Sequence, residues 1–83
     1  MNVNLSAAPN EQIAAVARAG ASAVYRALHW GYFNARILSV RPDGSVDLEI
    51  YNANGTTMML LRRIKLKSKA ECGRGEAYLG SLR

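Results

Sequence analysis

The residues best suited to do chemistry lie in one stretch, RRIKLKSK at positions 62 to 69, where five cations fall in eight positions with no carboxylate among them. Cations at that density neutralise phosphates or other polyanions, or else they form the solvated face of a strand whose lysines guard it against aggregation. Other reactive side chains are few and scattered: one histidine, His29, one cysteine, Cys72, and six carboxylates. Acid–base or nucleophilic catalysis needs such groups to converge in a pocket, and nothing in their spacing would bring them together. His29, beside Trp30, reads as a capping or packing residue. Cys72, in a polar loop with no second cysteine, reads as an unactivated thiol. Asp47 and Glu49 share one strand face and read as solvated, or as paired across the sheet with Arg36 or Arg63. No enzyme, cofactor, metal site or small-molecule substrate is expected.

Charge is unevenly placed along the chain. Residues 1 to 61 hold four cations and four anions, whereas residues 62 to 83 hold seven cations against Glu71 and Glu76 and so carry the whole net charge of +5. One end of the molecule therefore supplies the field that would attract an acidic partner. Its candidate binding face is Arg62, Arg63, Lys65, Lys67, Lys69 and Arg74. If residues 58 to 69 form one strand, the cations from Arg63 to Lys69 stand on one face at intervals of roughly 6.6 Å, two residues at about 3.3 Å each. Phosphates along a single nucleic-acid strand have a similar spacing, about 6 to 7 Å, and binding of that kind weakens steeply with salt. Tyr32, Phe33, Tyr51 and Tyr78 fall outside the basic run, so bases are not expected to stack there.

These residues must be positioned by a helix and a set of strands. Pro9 and Glu11 suit a helix start. Ile13, Val16, Ala17, Gly20, Val24, Ala27 and Leu28 recur at three- and four-residue steps, and Gly31 suits a stop. The spacing predicts a helix over about 9–29. Its many alanines either reflect helix propensity alone or let neighbouring subunits approach closely, with Ile13, Val16, Gly20 and Val24 as assembly contacts.

From Tyr32 the period falls to two. Phe33, Ala35 and Ile37 alternate with Asn34 and Arg36, and a change of parity near Leu38 predicts a bulge or a strand covered on both faces. Arg41-Pro42-Asp43-Gly44 is a turn, and Val46, Leu48 and Ile50 alternate with Asp47, Glu49 and Tyr51 in the cleanest strand of the chain. Asn52-Ala53-Asn54-Gly55 closes a second hairpin. In the next run Met58, Leu60, Ile64 and Leu66 share one parity and are expected inside. Met59 and Leu61 share the other with the cations, so the outer face would begin apolar and end basic. Apolar surface of that kind calls for a cover, either another subunit, with Met59 and Leu61 as contacts, or the N-terminal helix. Residues 76 to 79 read as a last short strand.

At 83 residues the chain is a single domain, 1–83, with a modest core. The expected fold class is α+β: one N-terminal α-helix, about 9–29, followed by a small antiparallel β-barrel or strongly twisted sheet of four to five strands, about 32–80. No run approaches the roughly 20 apolar residues that span a bilayer, and the first residues lack the cationic start of a signal peptide. A lone cysteine fits a reducing compartment.

Residues 31 to 67, GYFNARILSVRPDGSVDLEIYNANGTTMMLLRRIKLK, resemble the Tudor-like small barrel in their aromatic, Ala-x-Ile, Asp-Gly and Val-x-Leu-x-Ile elements. The same Ala-Arg-Ile, Pro-Asp-Gly-Ser-Val and Asn-Gly-Thr pattern is similar to that of short bacteriophage virion structural proteins. The chain departs from Tudor methyl-lysine readers in offering no evident four-aromatic cage. The phage resemblance implies a non-enzymatic virion subunit, such as a head-decoration, neck or tail-connector protein, assembled in the host cytoplasm. Its partners would be copies of itself or larger virion proteins. The competing expectation is a small basic barrel that contacts nucleic-acid backbone non-specifically through residues 62–69.

Overall fold

In the computed structural model, residues 17–29 and 31–82 are described. Strict alternation organises the centre of the molecule. In VDLEIY, the strand Val46–Tyr51, Val46, Leu48 and Ile50 are fully buried while Asp47, Glu49 and Tyr51 are half-buried on the other face. Two turns bound it. Gly44 takes φ +89° and donates its N–H to the Arg41 carbonyl at 2.9 Å, and Asp43 accepts both the N–H and the hydroxyl of Ser45. At the other end Asn52 donates its N–H to the Thr56 carbonyl at 3.0 Å. Each turn returns the chain antiparallel beside the central strand.

Five strands result: β1 Ser22–Arg26, β2 Tyr32–Val40, β3 Val46–Tyr51, β4 Thr57–Ile64 and β5 Ala77–Leu79. They form one sheet in the order β4-β3-β2-β1-β5, with every neighbouring pair antiparallel. Of the two alternatives expected near Leu38, a bulge or a strand covered on both faces, the bulge is present. Ile37 pairs with Leu48 and Ser39 with Asp47, so Leu38 is the extra residue and is turned out to solvent while Ile37 is fully buried.

The expected helix over 9–29 is overturned where it can be checked: among the described residues there is no helix, and Ser22–Arg26 is a strand. The first part of that helix, with Ile13 and Val16, lies outside the described residues. The reason is visible in the backbone. Gly20 sits in a turn at φ +90°. Beyond it β1 is hydrogen-bonded on both edges, to β2 and to β5, so its backbone groups are satisfied within the sheet while its side chains are buried on both faces. Ala23 and Val24 are both fully buried because both faces of β1 are covered, and a strand buried on both faces shows no period of two. Its small residues then mimic a helical stripe. The helix-plus-barrel arrangement is thus replaced by a five-stranded antiparallel sheet.

The parity expected in β4 also shifts. Leu61 pairs with Leu48 and packs on the core, whereas Met58 and Leu60 are exposed. The next pair in the ladder is Val46 with Ile64, so Arg62 and Arg63 form a bulge in which Arg63 has φ +58°. That extra residue moves the apolar set from odd to even positions, and Ile64 and Leu66 face inward after it. Past β4 the sheet curls so far that Leu66 forms a parallel bridge with Ala77. Lys67 donates its N–H to the Ala77 carbonyl at 2.8 Å, and Ala77 donates to the Lys65 carbonyl at 3.0 Å.

Two apolar layers result. The inner one joins Ala23, Ala35, Ile37, Val46, Leu48, Ile50, Leu66 and Ala77. The second lies on the outer side of β1, where Val24 and Tyr78 are covered by Cys72 from the 68–76 loop.

Candidate binding surfaces

One end of the sheet is apolar and open. β4 is an edge strand with β3 as its sole strand neighbour among the described residues, and its first five residues, Thr57 to Leu61, contain no charge. Met58, Met59 and Leu60 are 39%, 40% and 64% exposed. Beside them Tyr25, Leu28, His29, Phe33 and Ile50 help to line a cavity of about 170 Å³ that Met58 and Met59 also border. Leu28, from the β1–β2 connection, is 56% exposed at this end. Edge strands are commonly guarded by lysine, proline or a bulge. Here Met58 is itself an extra residue, since Met59 pairs with Ile50 and Thr57 with Tyr51, and a second bulge with two arginines follows at positions 62 and 63, so the run Met59 to Leu61 between them carries no charge.

The outer face of the sheet bears a different set of groups. Arg26 stands opposite Tyr32 in the β1–β2 ladder and its guanidinium lies 5.6 Å from that ring's centroid. The same guanidinium donates to the Cys72 carbonyl at 3.0 Å, which fixes its place. Tyr32 meets Tyr78 edge to face, with centroids 6.5 Å apart and ring planes at 67°. Lys69 reaches over Tyr78, its Nζ 5.9 Å from the centroid. A Lys69–Tyr78–Tyr32–Arg26 row therefore crosses the outer face, with Tyr32 46% exposed and Tyr78 nearly buried.

The sequence-predicted cations are only partly brought together. Arg62 and Arg63 lie in the β4 bulge, Lys65 and Lys67 flank the inward-facing Leu66, Lys69 is in the following turn, and Arg74 is in the turn before β5. The straight ladder of four cations on one strand is not formed, because the strand ends at Ile64 and its bulge rotates the parity. Among the expected assembly contacts, Met59 is exposed at the apolar end, Leu61 and Val24 are packed within the chain's own core, and Gly20 lies in the turn before β1. His29 borders the apolar cavity and Cys72 is buried on the other side of β1, so the two are not neighbours. Burial, then the charge of Glu76, pushes the Cys72 thiol upward, away from the reactive thiolate. Among the described residues no group of three His, Cys, Asp or Glu side chains could hold a metal ion. The pairing of Tyr32 and Tyr78 with cations was missed in the sequence, where 45 positions separate the two rings; the tyrosines' outward parity on their strands was the one available signal.

Asp47 forms a polar clasp at the far end of the β2–β3 hairpin. It accepts hydrogen bonds from the Ser39 hydroxyl at 2.8 Å, from the Arg41 guanidinium at 3.0 and 3.1 Å, and from the Arg63 N–H at 3.1 Å. Its guanidinium partner is thus Arg41, and Arg63 contributes only its backbone. Glu49 stands opposite Arg36 and accepts from the hydroxyls of Thr57 and Tyr51. The Ser39 hydroxyl first, and then Arg41, lower the Asp47 carboxyl from 3.8 to about 2. A depressed carboxyl stabilises the fold above its ordinary value, and that contribution is lost as pH falls through the folded value. Thermal unfolding followed between about pH 5 and about pH 2 should therefore show a falling midpoint, and Asp47→Asn should make the fall shallower. An unchanged slope in the variant would remove Asp47 as a source of the pH dependence.

No protein family, curated protein or solved structure matches this chain.

Proposed function

We propose that the protein is a non-enzymatic assembly subunit whose copies join edge to edge through β4. The observation that carries this reading is the uncharged, solvent-exposed edge Thr57 to Leu60, set beside an apolar cavity. An unpaired edge offers a row of backbone donors and acceptors, and a second edge strand satisfies them while apolar side chains are removed from water. A second copy suits the edge electrostatically. In an antiparallel pair centred on Leu60, Arg62 of one copy meets Met58 of the other and Arg63 meets Thr57, so the like-charged arginines are kept apart. Thr57 donates to Glu49 at 2.7 Å, which places a carboxylate where the arriving Arg63 can use it.

The virion setting rests on the resemblance of residues 31 to 67 to short phage structural proteins. In that setting the subunit is a head-decoration, neck or tail-connector component, assembled in the host cytoplasm and packed against its own copies or larger virion proteins.

Sedimentation equilibrium of the full chain tests the reading. The expected result is a concentration-dependent dimer. Leu60→Lys, at a side chain 64% exposed and so tolerated by the fold, should weaken the dimer about 10-fold or more by placing two ammonium groups near the two-fold axis. A wild-type chain that stays monomeric, or a Leu60→Lys dimer as tight as the wild type, would overturn it.

A further inference from the structure

We propose a second, separate site: the outer face around Tyr32 binds single-stranded nucleic acid, with a base stacked on the Tyr32 ring and phosphates on Arg26 and Lys69. Non-specific single-strand binding needs an exposed aromatic surface held rigidly between cations, because every base has a π-face and every nucleotide a phosphate. Tyr32 meets the first requirement. It is 46% exposed, and its orientation is set by the edge-to-face contact with Tyr78 and by the Arg26 guanidinium 5.6 Å from its centroid. Arg26 is itself tied to the Cys72 carbonyl, so little side-chain freedom remains to be lost when a base arrives.

The cations meet the second. Lys69 extends over Tyr78 at the other end of the row. The Leu66–Ala77 bridge brings Lys67 alongside β5, because Leu66 faces the core and its neighbours in the chain face out. Among the described residues the one salt bridge is Arg41 with Asp47, so neither Arg26 nor Lys69 is tied up in an ion pair. Of the carboxylates, Glu71 and Glu76 lie in the loop beside the row and accept hydrogen bonds from Ser68 and Gly73, and Asp47 and Glu49 are on β3 and engaged with Ser39, Arg41, Thr57 and Tyr51. A duplex is a poorer fit, since its bases are already stacked and only the charge would be used.

Fluorescence anisotropy with a labelled dT12 strand, a duplex of equal phosphate number and a polyglutamate peptide tests the site. The wild type should prefer the single strand, with affinity falling steeply as salt rises. Tyr32→Ala should weaken dT12 binding about 10-fold while leaving the duplex almost unchanged, and Tyr32→Phe should retain binding because the ring remains. Lys69→Gln should reduce the slope against the logarithm of salt by about one phosphate contact. Leu60→Lys, whose added charge acts on both nucleic acids alike, should keep the preference for dT12 over the duplex, which separates this site from the self-assembly edge. Equal binding of dT12, duplex and polyglutamate, or a Tyr32→Phe protein that loses binding as Tyr32→Ala does, would overturn the proposal.

Discussion

Leu48→Ala should lower the free energy of unfolding by about 3 kcal/mol and the thermal midpoint by about 15 °C. Leu48 is fully buried in the central strand, opposite Ile37 on one side and Leu61 on the other, so no neighbour can move in to fill the space its side chain leaves. A chain of this length has in total about 4–12 kcal/mol of stability, so the loss is a large share of it. Leu38→Ala supplies the contrast. Leu38 is the bulged residue of β2 and is 43% exposed, so its truncation should change stability by less than about 0.5 kcal/mol. Chemical denaturation of the two variants checks the pair. Similar losses from both would mean that the bulge does not turn Leu38 out of the core.

Val24→Asp should unfold the protein or nearly so, at a cost on the order of 3–5 kcal/mol for an unpaired buried charge. Val24 is fully buried between Cys72 and Tyr78 on the outer side of β1, and the cations nearest that layer, Arg26 and Lys69, are already turned to the Cys72 carbonyl and the Tyr78 ring. Ser22→Asp, two residues earlier on the same side of the strand, is exposed and opposite Arg36, so it should be nearly neutral. The Cys72 thiol reports the same event. In the wild type it is 6% exposed and its pKa is raised, so it should react slowly with a disulfide reagent. In Val24→Asp the 68–76 loop loses its footing and labelling should approach the rate of the unfolded chain. Slow labelling together with a wild-type midpoint in Val24→Asp would place Val24 outside the layer described above.

The parts of the fold that could be read in the chain are those in which local chemistry and burial agree. β3 alternates because only one of its faces is packed on the core, and its two turns are specified by Pro42-Asp43-Gly44 and Asn54-Gly55. The bulge at Leu38 was legible because it changes which parity is apolar. β1 was not legible. Its two faces are covered by different layers, one by the inner core and the other by Tyr78 and the Cys72 loop, so its hydrophobic pattern carries no strand period and its alanines read as a helix. In β4 the break in parity falls on two arginines, and a polar bulge leaves no mark in a hydrophobic pattern.

The same division holds for the surfaces. By itself the sequence determined that the net charge of +5 belongs to residues 62 to 83, that Met58 to Leu61 is a continuous apolar run, and that the central hairpins turn where they do, since each depends on residues adjacent in the chain. Only the tertiary structure decided that the apolar run is an open sheet edge and that Tyr32 and Tyr78 stand in one row with Arg26 and Lys69. Those juxtapositions come from strand order and register across β2, β1 and β5, and register is a property of pairing between distant segments, which no local pattern of residues contains.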